Sequence, residues 1–501
     1  MELTFAFWIV ILLPLLSAPV VYLIGRLVVR KNPAVNPARW VALILLLVEG
    51  VFLFFAGQAY LAETLPARFT LGAVSMEVDG IGLLLAVVVV VLGFFVILFS
   101  GPYMRGEHAE EKYYALLLVM IGAMIGLGFA NDLFNLWVWF EAMAISSYML
   151  VSFYRSQRSS LEAGVKYMIQ SAVGSAFVLL GIAIVFAETG AVDLDMIRIS
   201  MQTSPGLMAA GALFVIGFGV KTALVPLHTW LPDAHSQAPS GISAMLSGVV
   251  IETGLVAMLR ALGALTSSEL SWGGLLLGFG ALNMLLGNLM ALRQTHIKRM
   301  LAYSSLSHMG YILLGIGAAV TFGQVNSAAG GFFHVITHAL MKGLAFLAAG
   351  VFLYSLHIAN GKHDPLVLDD LNGAARRYPL AALGLSVAVL GLGGLPPLAG
   401  FMSKWQIFVG GVQTGNLAMI LLIVFAALNS VLSLGYYAPL VNRMYRLQPS
   451  ESVVQGKPAP ALMGIPMLSL SVLVLVLGFW PSLVNWLTGP AAGSLLAVFG
   501  R

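Results

Sequence analysis

An all-α integral membrane fold of about fourteen transmembrane helices is what this sequence predicts, and three observations predict it. Of 501 residues, 59% are hydrophobic and only 9% charged, where soluble domains carry about 25% charged residues. Apolar runs of about 20 residues, long enough to cross a bilayer core as a helix, recur along the whole chain. Lysine and arginine alternate between rich and poor loops, as they do in a multi-pass protein. The mean hydropathy of +0.95 agrees, and the alternating ten-residue strands of a membrane barrel are absent.

Taken in order, the runs place spans near 3–24, 40–61, 80–101, 113–130, 132–154, 163–187 and 207–228. They continue near 240–264, 272–293, 297–319, 328–356, 379–409, 416–441 and 461–487. The first run has no basic segment before it and no small-residue cleavage site, so it reads as a retained helix and not a signal peptide. The longest gaps, 188–206 and 357–378, leave no room for a soluble domain.

Of the 25 lysines and arginines, 18 fall in one set of alternate loops, from Arg26, Arg30 and Lys31 through Lys298 and Lys362 to Arg446 and Lys457. Only Arg68, Arg198, Arg260 and Arg501 fall in the other set. Basic loops stay cytoplasmic, so both termini are expected outside the cytoplasm of a cell inner (plasma) membrane. The net charge of +4 therefore reports loop topology and not nucleic-acid binding. The absence of cysteine excludes disulfides, Cys-ligated iron–sulfur clusters and catalytic thiols. No phosphate-binding glycine motif appears.

Nine ionisable residues lie inside spans: Lys221, Lys342 and Lys404; Glu49, Glu141 and Glu252; His308, His334 and His338. A charged group in the bilayer core costs at least ~2.5–3.5 kcal/mol on insertion scales, so such groups face the bundle interior, pair and mark an ion path. A desolvated lysine gives up its proton easily, and a glutamate moving nearer or farther would drive uptake and release. A static ion pair that fixes helix packing is the bland reading for any one of them; it fits the whole set poorly.

Lys221 sits in GFGVKTALVPLHTWLPDAHSQAPSGISAMLSG, with Pro226, Pro232 and Pro239 close behind. Lys404 sits in GLGGLPPLAGFMSKWQIF, behind Pro396 and Pro397. Proline breaks a helix and frees backbone carbonyls, and broken spans mark ion sites. Two such segments about 180 residues apart suggest two structural repeats. Between them, His334, His338 and Lys342 are spaced i, i+4, i+8, one stripe about 12 Å long, with His308 and Ser304 sharing a face of the preceding helix. Zinc would need a third ligand nearby, and haem would be poorly held by two histidines on one helix face. Glu141 is alone in its span. Glu49 is equally isolated and is a partner of the path or a residue reaching for the interface.

GFGVKTALVPLHTWLPDAHSQAPSGISAMLSGVV, HIKRMLAYSSLSHMGYILLGIG, HVITHALMKGLAFLAAG and GLPPLAGFMSKW resemble the antiporter-like subunits of respiratory complex I, of Mrp-type cation/proton antiporters and of membrane-bound [NiFe]-hydrogenases. The likeness covers roughly 80–440, and PSGISAMLSGV looks closest to the hydrogenase and Mrp branches. It implies two inverted five-helix repeats with broken helices 7 and 12. The implied division is 1–112 (helices 1–3), 113–264 (helices 4–8), 265–445 (helices 9–13) and 446–501 (helix 14). It also implies that Glu141 and Lys221 form a coupled pair, that Lys342 and the histidines form a central hydrophilic axis, and that Lys404 is the terminal proton site. One departure stands out. Glu252, in SGVVIETGLVAML, occupies the place where many medium-sized members carry a bridging lysine.

The expected function is that of a proton-translocating subunit of a redox-driven complex, with other membrane subunits as partners and no redox cofactor of its own. An Mrp-type Na+/H+ antiporter subunit is the alternative; a quinone- or haem-bearing enzyme and a purely structural subunit are the other rivals. The topology is directly testable: a reporter fused to the C-terminus should register outside the cytoplasm, and a cytoplasmic signal would mean a miscounted span.

Overall fold

The computed structural model describes residues 2–32, 35–62, 68–71, 74–200, 202–267, 271–361 and 364–500, with side chains from Phe7 onward. Lys362 and Arg501 of the loop tally lie outside the described residues. The chain runs α1 (Glu2–Lys31), α2 (Ala38–Leu61), β1 (Arg68–Leu71), β2 (Val74–Glu77), α3 (Gly80–Tyr103), α4 (Glu110–Phe129), α5 (Leu133–Val151), α6 (Arg158–Thr189) and α7 (Leu194–Ser200). It continues α8 (Pro205–Thr222), α9 (Trp230–Gln237), α10 (Ser240–Met245), α11 (Ile251–Ala264), α12 (Gly273–Ala291), α13 (Ile297–Phe322) and α14 (Val325–Leu356). The last part is α15 (Pro379–Gly393), α16 (Ala399–Val412), α17 (Leu417–Arg446), α18 (Glu451–Gln455), α19 (Gly464–Phe479) and α20 (Asn485–Val498).

Among the described residues, 13 helices are long and apolar enough to cross a membrane. A further crossing is made of two pieces, α15 and α16, which the sequence presents as the single run 379–409. That restores the expected fourteen. Helix α10 passes into α11 through a π turn at Leu246–Val250, so 240–264 is one buried crossing.

The two breaks are built alike. Helix α8 ends at Ala223, in the left-handed region at φ 58°, and α15 ends at Gly394, at φ 82°. In the first, Ala223 N bonds Val220 O and Leu224 N bonds Gly219 O (3.2 and 2.9 Å); in the second, Gly394 N bonds Gly391 O and Leu395 N bonds Leu390 O (2.9 and 3.1 Å). These are two copies of one Schellman ending, each followed by proline, which cannot resume the helix. Backbone groups freed inside a membrane must find partners in the protein. At the first break Asn283 supplies both: its Oδ1 accepts from Val225 N at 2.9 Å and its Nδ2 donates to Ala223 O at 3.2 Å. At the second break Lys404 donates to Leu392 O at 2.8 Å and Ser430 donates to Gly393 O at 3.0 Å.

Several features were not legible in advance. A short hairpin, β1 against β2, stands where an all-helical chain was expected. Its strands are four residues each, too short to leave a periodic signal. The last span continues beyond Phe479 into α20, whose Ser494 Oγ accepts from Gly80 N at 3.0 Å; Gly489, Pro490 and Gly493 mask its helical pattern. Arg260, counted as a loop residue, is buried. It donates to Asp79 Oδ1 at 2.8 Å and also to Gly128 O. Asp79 in turn caps α3 through Gly82 N at 2.8 Å.

That arrangement gives a stability test. Asp79→Ala removes the cap, worth ~1 kcal/mol, and leaves a buried arginine without its carboxylate, worth about 3–5 kcal/mol. The Tm of the purified protein in detergent should fall clearly, and Asp79→Ala/Arg260→Met should recover most of the loss. An unchanged Tm in the single variant would contradict this.

Candidate functional site

The first centre forms where α5, α6, α8 and α9 meet. Lys221 is the penultimate residue of α8 and is fully buried. Its ammonium donates to Tyr167 Oη at 2.8 Å and to Ser171 Oγ at 3.3 Å. The ring of Trp230 stacks on Tyr167 with centroids 4.0 Å apart and planes 5° apart. Trp230 Nε1 also donates to Val220 O at 2.7 Å, so the aromatic wall is fixed to the backbone beside Lys221. The rings of Phe140 and Trp230 each lie 5.9 Å from the ammonium. Glu141 follows Phe140 on α5 and interacts electrostatically with Lys221. Among the described residues no ion pair joins the two, so the expected partners are neighbours and not a closed salt bridge. Glu141 is half-buried, and its Oε1 is enclosed without a hydrogen-bond partner among the described residues.

Helix α11 lies against the end of α8 because Gly254 has no side chain: a Cβ there would stand 3.0 Å from the Lys221 carbonyl carbon and from its Cβ. Two residues earlier, just after the π turn, comes Glu252. π turns place side chains out of helical register, often at functional sites. Glu252 Oε1 meets His338 Nδ1 of α14 at 2.8 Å, both groups being fully buried. Glu252 Oε2 and His338 Nε2 have no hydrogen-bond partner among the described residues.

From His338 the line continues. The His308 ring stacks on those of His338 and His334, with centroids 5.4 and 5.3 Å away. His308 Nδ1 is 3.1 Å from His334 Nε2, and His334 Nδ1 is 2.8 Å from Ser403 Oγ. Ser403 precedes Lys404, whose ammonium donates to Ser430 Oγ at 2.8 Å and lies 4.5 Å from the Tyr311 ring centroid. A buried series of polar side chains thus runs from Glu252 to Ser403, the residue before Lys404, across α11, α14, α13 and α16, with a ring stack joining His338 to His308.

Lys342 sits on the same face of α14 but turns aside from this chain. Its ammonium donates to Leu301 O at 2.8 Å and to Ser304 Oγ. Glu49 lies elsewhere, on α2, buried, with both carboxyl oxygens lacking hydrogen-bond partners among the described residues. Helix α2 packs on α1, α3 and α4.

Sequence reasoning missed Tyr167, Ser171, Ser403, Ser430 and Tyr311, because hydroxyls in apolar spans are common and carry no spacing signal. It also missed Lys298, counted among the loop residues. Lys298 is buried, with its ammonium donating to Ala238 O at 2.5 Å. The neighbouring His296, at the end of the loop, is held down to about 4 by burial and by the charges of Lys298 and Arg299, so it stays neutral at physiological pH.

Comparison with known proteins places these elements in context. Residues 130–430 match the family described as NADH:quinone oxidoreductase/Mrp antiporter, transmembrane. F(420)H(2) dehydrogenase subunit N of Methanosarcina mazei is 33% identical over 429 residues, covering 84% of this chain and 85% of the relative. NADH-quinone oxidoreductase subunit N of Desulforudis audaxviator is 31% identical over 461 residues, covering 85% and 88%. Among solved structures, a chain of the membrane-bound sulfane sulfur reductase, an archaeal respiratory membrane complex, superposes with a TM-score of 0.85 at 27% identity, covering 98% of each chain.

Proposed function

This chain belongs to the NADH:quinone oxidoreductase/Mrp antiporter family of membrane subunits, and from that premise we propose that it carries protons between Lys221 and Lys404 as one subunit of a larger redox-driven complex. One observation carries the reading: the contacts Glu252–His338, His338–His308, His308–His334 and His334–Ser403 succeed one another without an apolar gap. The named relatives, a dehydrogenase subunit and a quinone-oxidoreductase subunit, support redox drive over the Mrp alternative.

The chemistry follows from the groups. Glu141 stabilises the protonated form of Lys221, and any movement that separates them favours proton loss. Glu252 sits next along the path, across the Gly254 contact. A carboxylate there attracts a proton and holds a charged His338 by direct hydrogen bond, where a lysine would repel one. Each imidazole can take a proton on one nitrogen and release one from the other. Lys404, at the second break, is the last amine of the line. Lys342, held on Leu301 O, adds a positive charge that discourages two protons from occupying the histidines at once. In this reading both termini face away from the cytoplasm, and 113–264 and 265–445 are the two repeats, each contributing one broken helix.

The test is proton uptake by the assembled complex in vesicles. Lys221→Ala and Glu141→Ala should each remove most transport while assembly persists. Glu252→Gln should cut transport at least about tenfold, as losing a proton-transfer group does, with no dependence on sodium. Normal pumping by an assembled Lys221→Ala complex would refute the reading. Transport that follows sodium through Glu252 would favour the Na+/H+ alternative.

A further inference from the structure

Where α4 begins and α5 ends, at the face that carries the basic loops, the two helices border a cavity of about 460 Å3 outside the line of buried groups. Its wall carries charge at one level and apolar surface at the next. Lys112, in the first turn of α4, and Arg155, just past the end of α5, supply two cations. Among the described residues neither makes an ion pair or a side-chain hydrogen bond, although Lys112 is half-buried. Ala109 gives α4 no side-chain cap, so the first N–H groups of that helix add to the positive field. The carboxylates of the same turn are engaged elsewhere: Glu110 and Glu111 line a neighbouring cavity with Arg26 and Arg39, and Glu111 pairs with Arg26 at 3.5 Å. Glu107 does line the first cavity, where it interacts with Tyr154. Two cations against one carboxylate leave one positive charge on the wall.

The apolar level begins one turn along α4, where Leu116 stands on the face of Lys112 and ~6 Å further into the membrane. Met149 and Phe153, at the end of α5, close this level from the other side. Met149 is exposed, as is Ile145 one turn back, so the apolar part opens sideways toward hydrocarbon. A soluble anion would fill the charged level and leave the apolar one empty. We propose that this cavity holds one phospholipid whose headgroup carries a single net negative charge. Its phosphodiester lies between Lys112, Arg155 and the start of α4, and an acyl chain runs past Leu116 and Met149. The single positive charge of the wall matches such a lipid. A zwitterionic headgroup brings its own cation and leaves the wall uncompensated. Basic pockets between helices at a membrane face hold anionic headgroups in this way. The lipid supplies the counter-ion that the half-buried Lys112 lacks, and it does so without touching the proton path.

The test uses the assembled complex, purified in detergent and stripped of lipid. It is titrated with phosphatidylglycerol, with phosphatidylcholine and with glycerophosphoglycerol, the same headgroup without chains, and bound lipid is counted by native mass spectrometry. The difference between the parent and Lys112→Gln/Arg155→Gln isolates this site from others on the complex. One phosphatidylglycerol should be held at least about tenfold more tightly than phosphatidylcholine in the parent, and the double variant should lose that preference. Arg155→Gln, at an exposed position where the fold does not depend on it, should alone weaken the lipid about fivefold. Leu116→Trp, which fills the apolar level and leaves both cations in place, should weaken it as well. Equal binding of the two lipids by the parent would overturn the site. So would an unchanged preference in Arg155→Gln and in the double variant, the result expected if a neighbouring subunit covers the cavity. Competition by glycerophosphoglycerol as strong as by the intact lipid would mean a soluble-anion site and would overturn the lipid.

Discussion

A protonated amine inside a hydrocarbon slab has no water to bond, so it must be given oxygens by the protein. That constraint organises this molecule. Lys221 is given Tyr167 and Ser171; Lys342 is given Leu301 O and Ser304; Lys404 is given Leu392 O and Ser430. Regular helices have few carbonyls to spare, because each is spent four residues on. Two helices are interrupted, and Lys221 and Lys404 stand beside the interruptions. At the second, the Leu392 carbonyl accepts from Lys404; at the first, hydroxyls of the unbroken α6 hold Lys221.

The same constraint explains why the helices around the chain of buried groups pack so closely. Carbonyls, hydroxyls and rings must meet at hydrogen-bond distance across four or five helices, so backbones approach through small residues. Gly254 lets α11 touch the Lys221 backbone, and two residues earlier on the same segment Glu252 meets His338. The π turn before it re-aims Glu252 at His338.

Much of this was legible in the residues. Lys221, Lys404 and the His334–His338 stripe declare themselves, because charge inside apolar runs is expensive and proline beside it breaks the helix. The count of fourteen crossings followed from run length and from loop charge. What stayed hidden has a physical reason in each case. Span 379–409 reads as one helix because Leu, Gly and Pro keep hydropathy high across a break. Glu141 and Lys221 invite pairing by sign, yet a tyrosine and a serine hold the amine, and hydroxyls have no sequence period. Lys298 and Arg260 look like loop charges because they sit at span ends, while the fold buries them against Ala238 O and Asp79. The β1–β2 hairpin is fastened to α5 by Asp132, which accepts from Ser75 N, a long-range contact no local pattern announces.

The central claim is that protons pass through the histidines joining the two halves. His308 is the narrowest link, since its ring bridges His338 and His334. His308→Phe keeps a flat ring in the stack and removes both nitrogens. Proton uptake by vesicles holding the assembled complex with this single change is the most direct measurement. The account predicts that uptake falls at least about tenfold while assembly is unchanged; uptake at the parent rate would contradict it.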